Sequence, residues 1–228
     1  MRGAAAALAT RASDHTEQVF SFKAPLLNRL LDNSEDPERR EVVLDLGRAS
    51  QSLLDRLIAA RPCRVEVADL ATDGGLSSIT EIDSNEADDR SADRDLDRIR
   101  GLLPEPSDEQ LNLILCWDLP NYLTLSALSL LIDSLSNRIA PGCHLHMLIG
   151  YSKREMAAQP GRYIPGTDGN LSQILPSDEL AQAPRYSPEH LGSALGNFGY
   201  ERGVLLANGM QEFIYAWPDD EPSAERSF

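Results

Sequence analysis

Residues 42–57 read VVLDLGRASQSLLDRL and place a buried strand, a tight turn and the start of a helix next to one another. The apolar run Val42–Leu46 closes at Gly47, as expected for a strand inside a parallel sheet. Leucine and isoleucine then recur at helical spacing between Ser50 and Ala60, and Pro62 follows the end of that segment. The stretch predicts the first βα unit of an α/β domain, with a turn where a ligand can approach the backbone.

The same alternation continues toward the carboxyl terminus. The further predicted strands are 64–68, 111–117, 144–149, 200–206 and 210–217. A long helix is predicted at 123–139, followed by a break at Ala140-Pro141-Gly142. The last two strands meet at Asn208-Gly209, which is a strong hairpin signal. This order predicts an α/β fold with a mostly parallel sheet and an antiparallel pair at its end.

Two segments interrupt the alternation. Residues 81–100 hold eight acids and four arginines, and their second half is predicted to form a solvated surface helix. Residues 151–186 are rich in Gly, Pro and polar residues, and an insertion of that length is usually functional or mobile. The predicted organisation is a leader (1–40, with one or two short helices in 13–32), an α/β domain (41–217) and a disordered tail (218–228).

The composition limits the partners and the location. The 228 residues carry a net charge of −15, which argues against nucleic acid and against anionic membranes as partners. No stretch approaches the roughly 20 apolar residues that span a bilayer. The three cysteines, Cys63, Cys116 and Cys143, are expected to be core residues in a reducing cytoplasm. His144 and His146 share one face of a predicted strand, but no third ligand is placed near them, so no metal site is expected.

Five features follow one another at plausible spacings. They are Asp45-Leu46-Gly47, Asp69 at the end of the next strand, Leu111–Asp118, Ile139–Cys143 and the terminal hairpin. In this order they resemble the motifs of the class I S-adenosylmethionine-dependent methyltransferases, over about residues 40–217. The resemblance implies a Rossmann-like, mostly parallel seven-stranded sheet of order 3-2-1-4-5-7-6 with a C-terminal antiparallel hairpin.

The resemblance also implies a cofactor site for S-adenosylmethionine. Asp45, Gly47 and Ala49 would form its first turn, and Asp69 would accept hydrogen bonds from the ribose hydroxyls. Trp117, at the end of the 111–117 strand, is either a platform for the cofactor or substrate, or a packing residue.

Asp118 and Tyr122 are the candidates for substrate contact and catalysis. Asp118 would orient or deprotonate a nucleophile, or else it is a turn residue before the following helix. Methyl transfer mainly requires alignment of the nucleophile with the methyl group, so no universal catalytic residue is expected.

The chain departs from the family pattern at the cofactor turn. The pattern places glycines at Gly47, Ala49 and Gln51, and only the first is glycine. Gln51 would either crowd the methionine part of the cofactor or point away along the helix. The third strand should lie within 76–104, where Ile79–Ile82 is the single faint candidate.

Two hypotheses therefore stay open. The chain is a methyltransferase for a small molecule or a protein side chain, with weakened cofactor binding. Alternatively, it is a catalytically inactive relative that serves as an interaction or regulatory subunit, with the acidic insert at 81–100 facing a basic protein partner.

Overall fold

A computed structural model describes residues 18–32, 38–80, 89–105, 107–151, 155–184 and 186–219. Within these ranges the strands are β1 (Gln18–Lys23), β2 (Glu41–Asp45), β3 (Cys63–Val67), β4 (Leu111–Trp117), β5 (Ile139–Gly150), β6 (Glu155–Ala157), β7 (Arg162–Pro165), β8 (Asn170–Leu175), β9 (Leu180–Gln182), β10 (Gly199–Leu205) and β11 (Met210–Ala216). The α-helices are α1 (Pro25–Asp32), α2 (Gln51–Ala60), α3 (Asp73–Thr80), α4 (Asp89–Arg100), α5 (Leu125–Leu135) and α6 (Pro188–Ala194), and 3-10 turns cover Leu119–Tyr122 and Ser136–Arg138. The start of the predicted leader and the end of the predicted tail lie outside the described residues.

The main sheet has the order β3-β2-β4-β5-β11-β10. Strands β3, β2, β4 and β5 are parallel, and β11 runs antiparallel to both of its neighbours. The mixed α/β fold is therefore confirmed. Its strand order equals the methyltransferase-like order with the outermost strand removed.

The prediction of seven strands is wrong for the described part of the chain, where the main sheet has six. Helices α3 and α4 occupy the described residues in which the third strand was expected, and Ile79, the faint strand candidate, is fully buried within α3. The charged sequence at 89–100 has no alternating apolar face to offer a sheet. It forms a helix instead, and this helix buries Ile99 against the core. Residues 81–88 lie outside the described residues.

The leader corrects a second prediction, because its described part is not only helical. Gln18–Lys23 is a strand, β1, which pairs with β8 of the 151–186 segment, and β8 pairs with β7. Phe22 is the single buried residue of β1, and it packs with α1, α2 and Tyr163 in the second core, whereas Val19 and Phe20 are exposed. The leader and the segment at 151–186 thus build a second, three-stranded sheet, so this segment is not one long loop.

The predicted break at Ala140-Pro141-Gly142 is also corrected. Strand β5 already begins at Ile139, and its pairing with β4 shifts between Ile139 and His144. Gly142 has a φ of +73° inside this irregularity, a conformation that glycine adopts without strain.

Both faces of the main sheet are covered by apolar side chains. Val42 and Leu44 of β2 point into a core that includes Leu128 and Leu131 of α5. Val43 points to the opposite face and shares a second core with α1, α2 and the three-stranded sheet. A strand buried on both faces reads as a continuous apolar run, which is why β2 was visible in the sequence. None of the described helices is long and apolar enough to cross a membrane.

A buried carboxylate ties the leader to the main sheet. Glu212 of β11 is fully buried, and its two oxygens accept hydrogen bonds from Leu26 N (3.0 Å) and Leu27 N (2.7 Å) in the first turn of α1. One of these oxygens also lies 3.0 Å from Nε2 of the buried His146. The first turn of a helix leaves its N–H groups without intrahelical partners, so Glu212 satisfies two donors that would otherwise be buried unpaired.

Replacing Glu212 with alanine should therefore lower the free energy of unfolding by about 3 kcal/mol or more, because buried donors lose their acceptor. Glu201→Ala is the matched control, since Glu201 of β10 makes a partly exposed contact of 3.2 Å with His144 of β5, across the intervening strand β11. We expect the control to cost under about 1 kcal/mol. Chemical denaturation of both variants measures the difference, and equal losses would contradict the anchoring role of Glu212.

Candidate functional site

The turn after β2 lies at the carboxyl edge of the sheet, where α/β proteins bind ligands. Ser50 accepts a hydrogen bond from Leu53 N and caps α2, so the chain leaves the strand and enters the helix within a few residues. Asp45 is buried beneath the turn, and its Oδ1 accepts hydrogen bonds from Gly47 N (2.9 Å) and Trp117 Nε1 (2.6 Å). Burial raises the pKa of this carboxyl to about 6.

The Trp117 indole covers this turn. Trp117 is 3% exposed, and its ring is stacked on Tyr163 with centroids 5.3 Å apart and planes 4° from parallel. The His146 ring is T-shaped to the indole, with centroids 6.2 Å apart and planes at 76°. Trp117 has a φ of +53°, the left-handed region in which non-glycine residues are strained. The stack on Tyr163 and the hydrogen bond to Asp45 hold Trp117 in this conformation.

The position of Trp117 decides whether the expected cofactor fits. A Cβ atom built on Gly47 would lie 2.4 Å from Cδ1 and 2.8 Å from Nε1 of Trp117. The space beside Gly47, over which the resemblance puts the cofactor, is therefore occupied by the indole. The residues at this end do not fit the cofactor.

The ribose end is open. A cavity of about 640 Å³ lies at the carboxyl ends of β2 and β3, and Ala49 and Asp69 line it together with Arg48, Thr72, Gly74, Arg162, Ile174 and Pro176. Asp69 is exposed and has a φ of +49°. Gln51 points away along α2, where its side-chain amide donates to Asp55 at 2.6 Å, so it does not crowd the turn. Asp69 and Ala49 are thus brought together, in a cavity that Gly47 and Trp117 do not line.

A second, smaller cavity of about 200 Å³ lies at the carboxyl ends of β4 and β5. It brings Asp118 and Tyr122 together with Asn121, Gln173, Met156 and Met210. Asp118 is 3% exposed, and its Oδ2 accepts hydrogen bonds from Gly161 N (3.2 Å) and the amide of Gln173 (3.5 Å). Burial raises the pKa of Asp118 to about 6, so its protonation changes near neutral pH.

Tyr122 holds the wall of this cavity. Its hydroxyl lies 3.1 Å from Ala157 O and 2.9 Å from Gln159 O. Burial raises the pKa of Tyr122 far from neutrality, so the phenol stays protonated and is committed to carbonyl acceptors. Asn121 likewise bonds to the backbone at Asp118 O, Leu148 O and Gly150 N. Of the two catalytic candidates, only Asp118 can therefore change its protonation near neutral pH and accept a proton.

Strand β8 separates the two cavities. Gln173 and Leu175 line the smaller cavity, whereas Ile174 and Pro176 line the larger one. Successive side chains of a strand point to opposite sides, so one strand forms a wall of both. The Trp117–Tyr163 stack lies at the junction, because Tyr163 of β7 also hydrogen-bonds Gln173 at 2.8 Å.

Sequence reasoning did not place Tyr163 or Arg48 in this region. The approach of Tyr163 to Trp117 depends on the pairing of β7 with β8 and of β8 with β1. No local pattern in the sequence signals that long-range pairing.

The sequence matches no protein-family model and no curated protein. Solved structures with a similar fold include the N-methyltransferase NodS from Bradyrhizobium japonicum WM9, at 15% identity over 78% of this chain and 86% of that one, with a TM-score of 0.40. The glycopeptide N-methyltransferase MtfA, complexed with S-adenosylmethionine, is 15% identical over 81% and 90% of the two chains, with a TM-score of 0.45. An S-adenosylmethionine-dependent methyltransferase from Clostridium acetobutylicum ATCC 824 is 13% identical over 85% and 89%, with a TM-score of 0.47. The function is argued below from the residues of this chain.

The left-handed backbone of Trp117 predicts an inverted order of stability between two variants. Trp117→Gly and Trp117→Ala both lose the buried indole, at a cost of about 3–5 kcal/mol. Glycine adopts a φ of +53° without strain and alanine does not, so the glycine variant should be the more stable by about 0.5–1 kcal/mol.

The matched control is Ile58, an exposed residue inside α2, where the glycine variant should be less stable than the alanine variant by about 1 kcal/mol. Denaturant unfolding of the four proteins gives both differences. The same order at both positions would contradict the strained backbone at Trp117.

The raised pKa of Asp118 predicts a pH dependence of stability. A carboxyl whose folded pKa, about 6, exceeds the ordinary 3.8 holds its proton more tightly in the folded state. Its contribution is complete below pH about 4 and is lost as the pH rises through 6, by about 3 kcal/mol. Asp118→Asn cannot ionise, so its stability relative to the wild type should rise by about that amount between pH 4 and 8. Asp45 titrates equally in both proteins and cancels from the difference. A difference in unfolding free energy that stays flat over this range would refute the assignment.

Proposed function

We propose that this methyltransferase-like chain does not hold S-adenosylmethionine over Gly47 and acts as a non-catalytic binding protein. The supporting observation is that the Trp117 indole takes the space that a side chain on Gly47 would need, because an added Cβ would lie 2.4 Å from its Cδ1. The chain keeps the order of six strands of the fold and has cavities at the carboxyl edge of the sheet, so it retains places for a ligand.

The cost of moving Trp117 supports this proposal quantitatively. Exposing a buried tryptophan costs about 3–5 kcal/mol, and separating a stacked aromatic pair adds about 1 kcal/mol. Each 1.4 kcal/mol is a factor of ten in affinity, so a cofactor that must displace the indole binds about 10³-fold more weakly. A site that would otherwise be micromolar becomes millimolar.

The edge of the sheet supports the same conclusion. In the resemblance, a third strand beside β3 carries the acid that contacts the adenine. In the described residues, α3 and α4 follow β3, and no strand lies beyond it. Among the described residues, the base of the cofactor therefore lacks the neighbour that the family pattern supplies.

A second candidate function is an active methyltransferase, and the placement of two carboxylates favours it. Asp69 follows β3 and lines the larger cavity, whereas Asp118 follows β4 and lines the smaller one. In this reading Trp117 leaves its position when the cofactor binds, and relief of its left-handed backbone contributes to the opening. The acceptor would be a small molecule or a protein side chain small enough for a cavity of about 200 Å³.

Calorimetric titration with S-adenosylmethionine and S-adenosylhomocysteine separates the two. Under the proposal, wild-type protein gives no binding heat at micromolar ligand, while Trp117→Gly, which empties the turn, binds measurably at that concentration. Micromolar binding by the wild type would sink the proposal and favour the active enzyme. Circular dichroism verifies that the variant is folded. Adding Asp69→Ala to Trp117→Gly should abolish the gained binding, because the ribose loses its acceptor.

A further inference from the structure

We infer that the outer edge of β1 binds an extended, basic segment of a partner protein, which adds a strand to the three-stranded sheet. β1 (Gln18–Lys23) stands at the end of this sheet, whose order is β1-β8-β7. Its backbone pairs with β8, and no other backbone group among the described residues hydrogen-bonds it. Alternate residues of a strand direct their N–H and C=O groups to the same edge, so β1 presents a row of unused donors and acceptors. The inference goes beyond the proposed function and stands without it, because Gly47 and Trp117 line neither β1 nor the cavity beside it.

The side chains of β1 leave apolar surface exposed at this edge. Val19 is 61% exposed and Phe20 is 46% exposed. The strand contains no proline and no acid, and its pairing with β8 has no register shift. Its one charged residue, Lys23, is the last of the strand and donates a hydrogen bond to Asp168 O at 2.8 Å. An exposed apolar edge of this kind is a template for pairing with another chain.

The other edges of the described sheets carry features that discourage such pairing. β10 has a register shift between Tyr200 and Arg202, and β3 carries the charged residues Arg64 and Glu66. β7 ends in Pro165, and β6 and β9 have three residues each. Bulges, charges, proline and short length are the usual means by which proteins prevent strand addition. Among the described edges, β1 is therefore the one that has none of these protections.

A cavity lies against the face of β1 that an added strand would extend. Gln18 and Phe20 line the cavity of about 200 Å³ together with their cross-strand partners, Leu175 and Gln173. These four side chains share one face of the sheet, because alternate residues of a strand point to the same side. A strand beside β1 would place its own alternate side chains on that face, where one of them can enter the cavity. In strand addition the main-chain hydrogen bonds supply affinity, and a pocket for alternate side chains supplies selectivity.

The charge of this cavity favours a basic side chain. Among the described residues that line it, Asp118 and Glu155 are acidic and none is basic. Asp178, which accepts a hydrogen bond from Gln18 at 2.9 Å, adds a carboxylate beside the first residue of β1. Leu180 and the other apolar side chains of the lining suit the methylene stem of a lysine or arginine, whose charged end would lie near a carboxylate. The net charge of −15 attracts a basic partner at longer range.

A second copy of this chain is the less suitable occupant of the edge. A stable protein–protein interface uses about 20–30 residues from each side. β1 offers six residues. Two copies would each bring a net charge of −15, which opposes their association. An extended peptide needs only the backbone of β1 and the cavity beside it.

Fluorescence anisotropy with a labelled, end-blocked hexapeptide, Lys-Val-Lys-Val-Lys-Val, tests the inference on the full-length protein. We expect this peptide to bind at least about tenfold more tightly than Glu-Val-Glu-Val-Glu-Val, because the cavity presents carboxylates. We expect the same advantage over the lysine peptide N-methylated at its two central residues, which keeps the charge and loses one donor on each edge. Hydrogen–deuterium exchange should slow in residues 18–23 when the lysine peptide is bound.

Two charge-reversing variants separate the cavity from the overall charge of the chain. Glu155→Lys, at the cavity, should weaken binding of the lysine peptide by about tenfold, because an attraction becomes a repulsion. Glu189→Lys, on α6 and outside the cavity lining, makes the same change in net charge and should alter the affinity by less than about twofold, because salt screens distant charges. Both residues are exposed, and equal unfolding midpoints verify that both variants fold.

Four results would overturn the inference: no binding of the lysine peptide at millimolar concentration, equal affinity for the acidic or the N-methylated peptide, equal losses in the two charge variants, or unchanged exchange in residues 18–23 in the complex. A dimer, measured by light scattering, that the lysine peptide dissociates would assign the edge to a second copy instead. Titration with S-adenosylhomocysteine tests the proposed function separately, since its result concerns the turn at Gly47 and leaves β1 untouched.

Discussion

The hydrogen bond from the Trp117 indole to Asp45 joins two strands and the layer that covers them. Asp45 ends β2, Trp117 ends β4, and the 2.6 Å contact between them is buried. Tyr163 then stacks on the indole from the three-stranded sheet. The carboxyl edge of the main sheet is thereby packed against a structure built from the leader and the 151–186 segment. A buried carboxylate needs such donors, because an unpaired one would cost several kcal/mol.

A second set of buried contacts also ends at Trp117. Glu212 holds the first turn of α1 and lies 3.0 Å from His146, whose ring is T-shaped to the indole. The chain of contacts therefore runs from α1 through β11 and β5 to the turn at Gly47. Each member is buried and each has a polar or aromatic partner, so displacement of one leaves the next unsatisfied. The position of Trp117 over the turn at Gly47 therefore depends on contacts that reach back to α1.

The sequence predicted those parts of the fold whose signal is local. Strand β2 is a continuous apolar run, α2 has its cap at Ser50, and the terminal hairpin has Asn208-Gly209; all three depend on residues within one element. The three-stranded sheet was missed because β1 and β8 are separated by more than a hundred residues, and pairing at that distance leaves no periodic signature. The candidate site follows the same division. Asp45, Asp69 and Asp118 were found because they end strands, whereas Tyr163 reaches Trp117 only through the pairing that was missed.

The glycine pattern of the turn has a physical explanation that does not require a cofactor. In the family resemblance, three glycines let the backbone approach a ligand. Under the proposed function no ligand needs that approach, because the indole takes the space, so Ala49 can line the cavity and Gln51 can bond to Asp55. Gly47 alone must remain without a side chain, since a Cβ there would lie 2.4 Å from the indole. The retained glycine and the two substituted positions therefore follow from one cause. The single glycine gives the Trp117 ring the space that it occupies at the turn. The cavity lined by Ala49 and Asp69 remains open beside it.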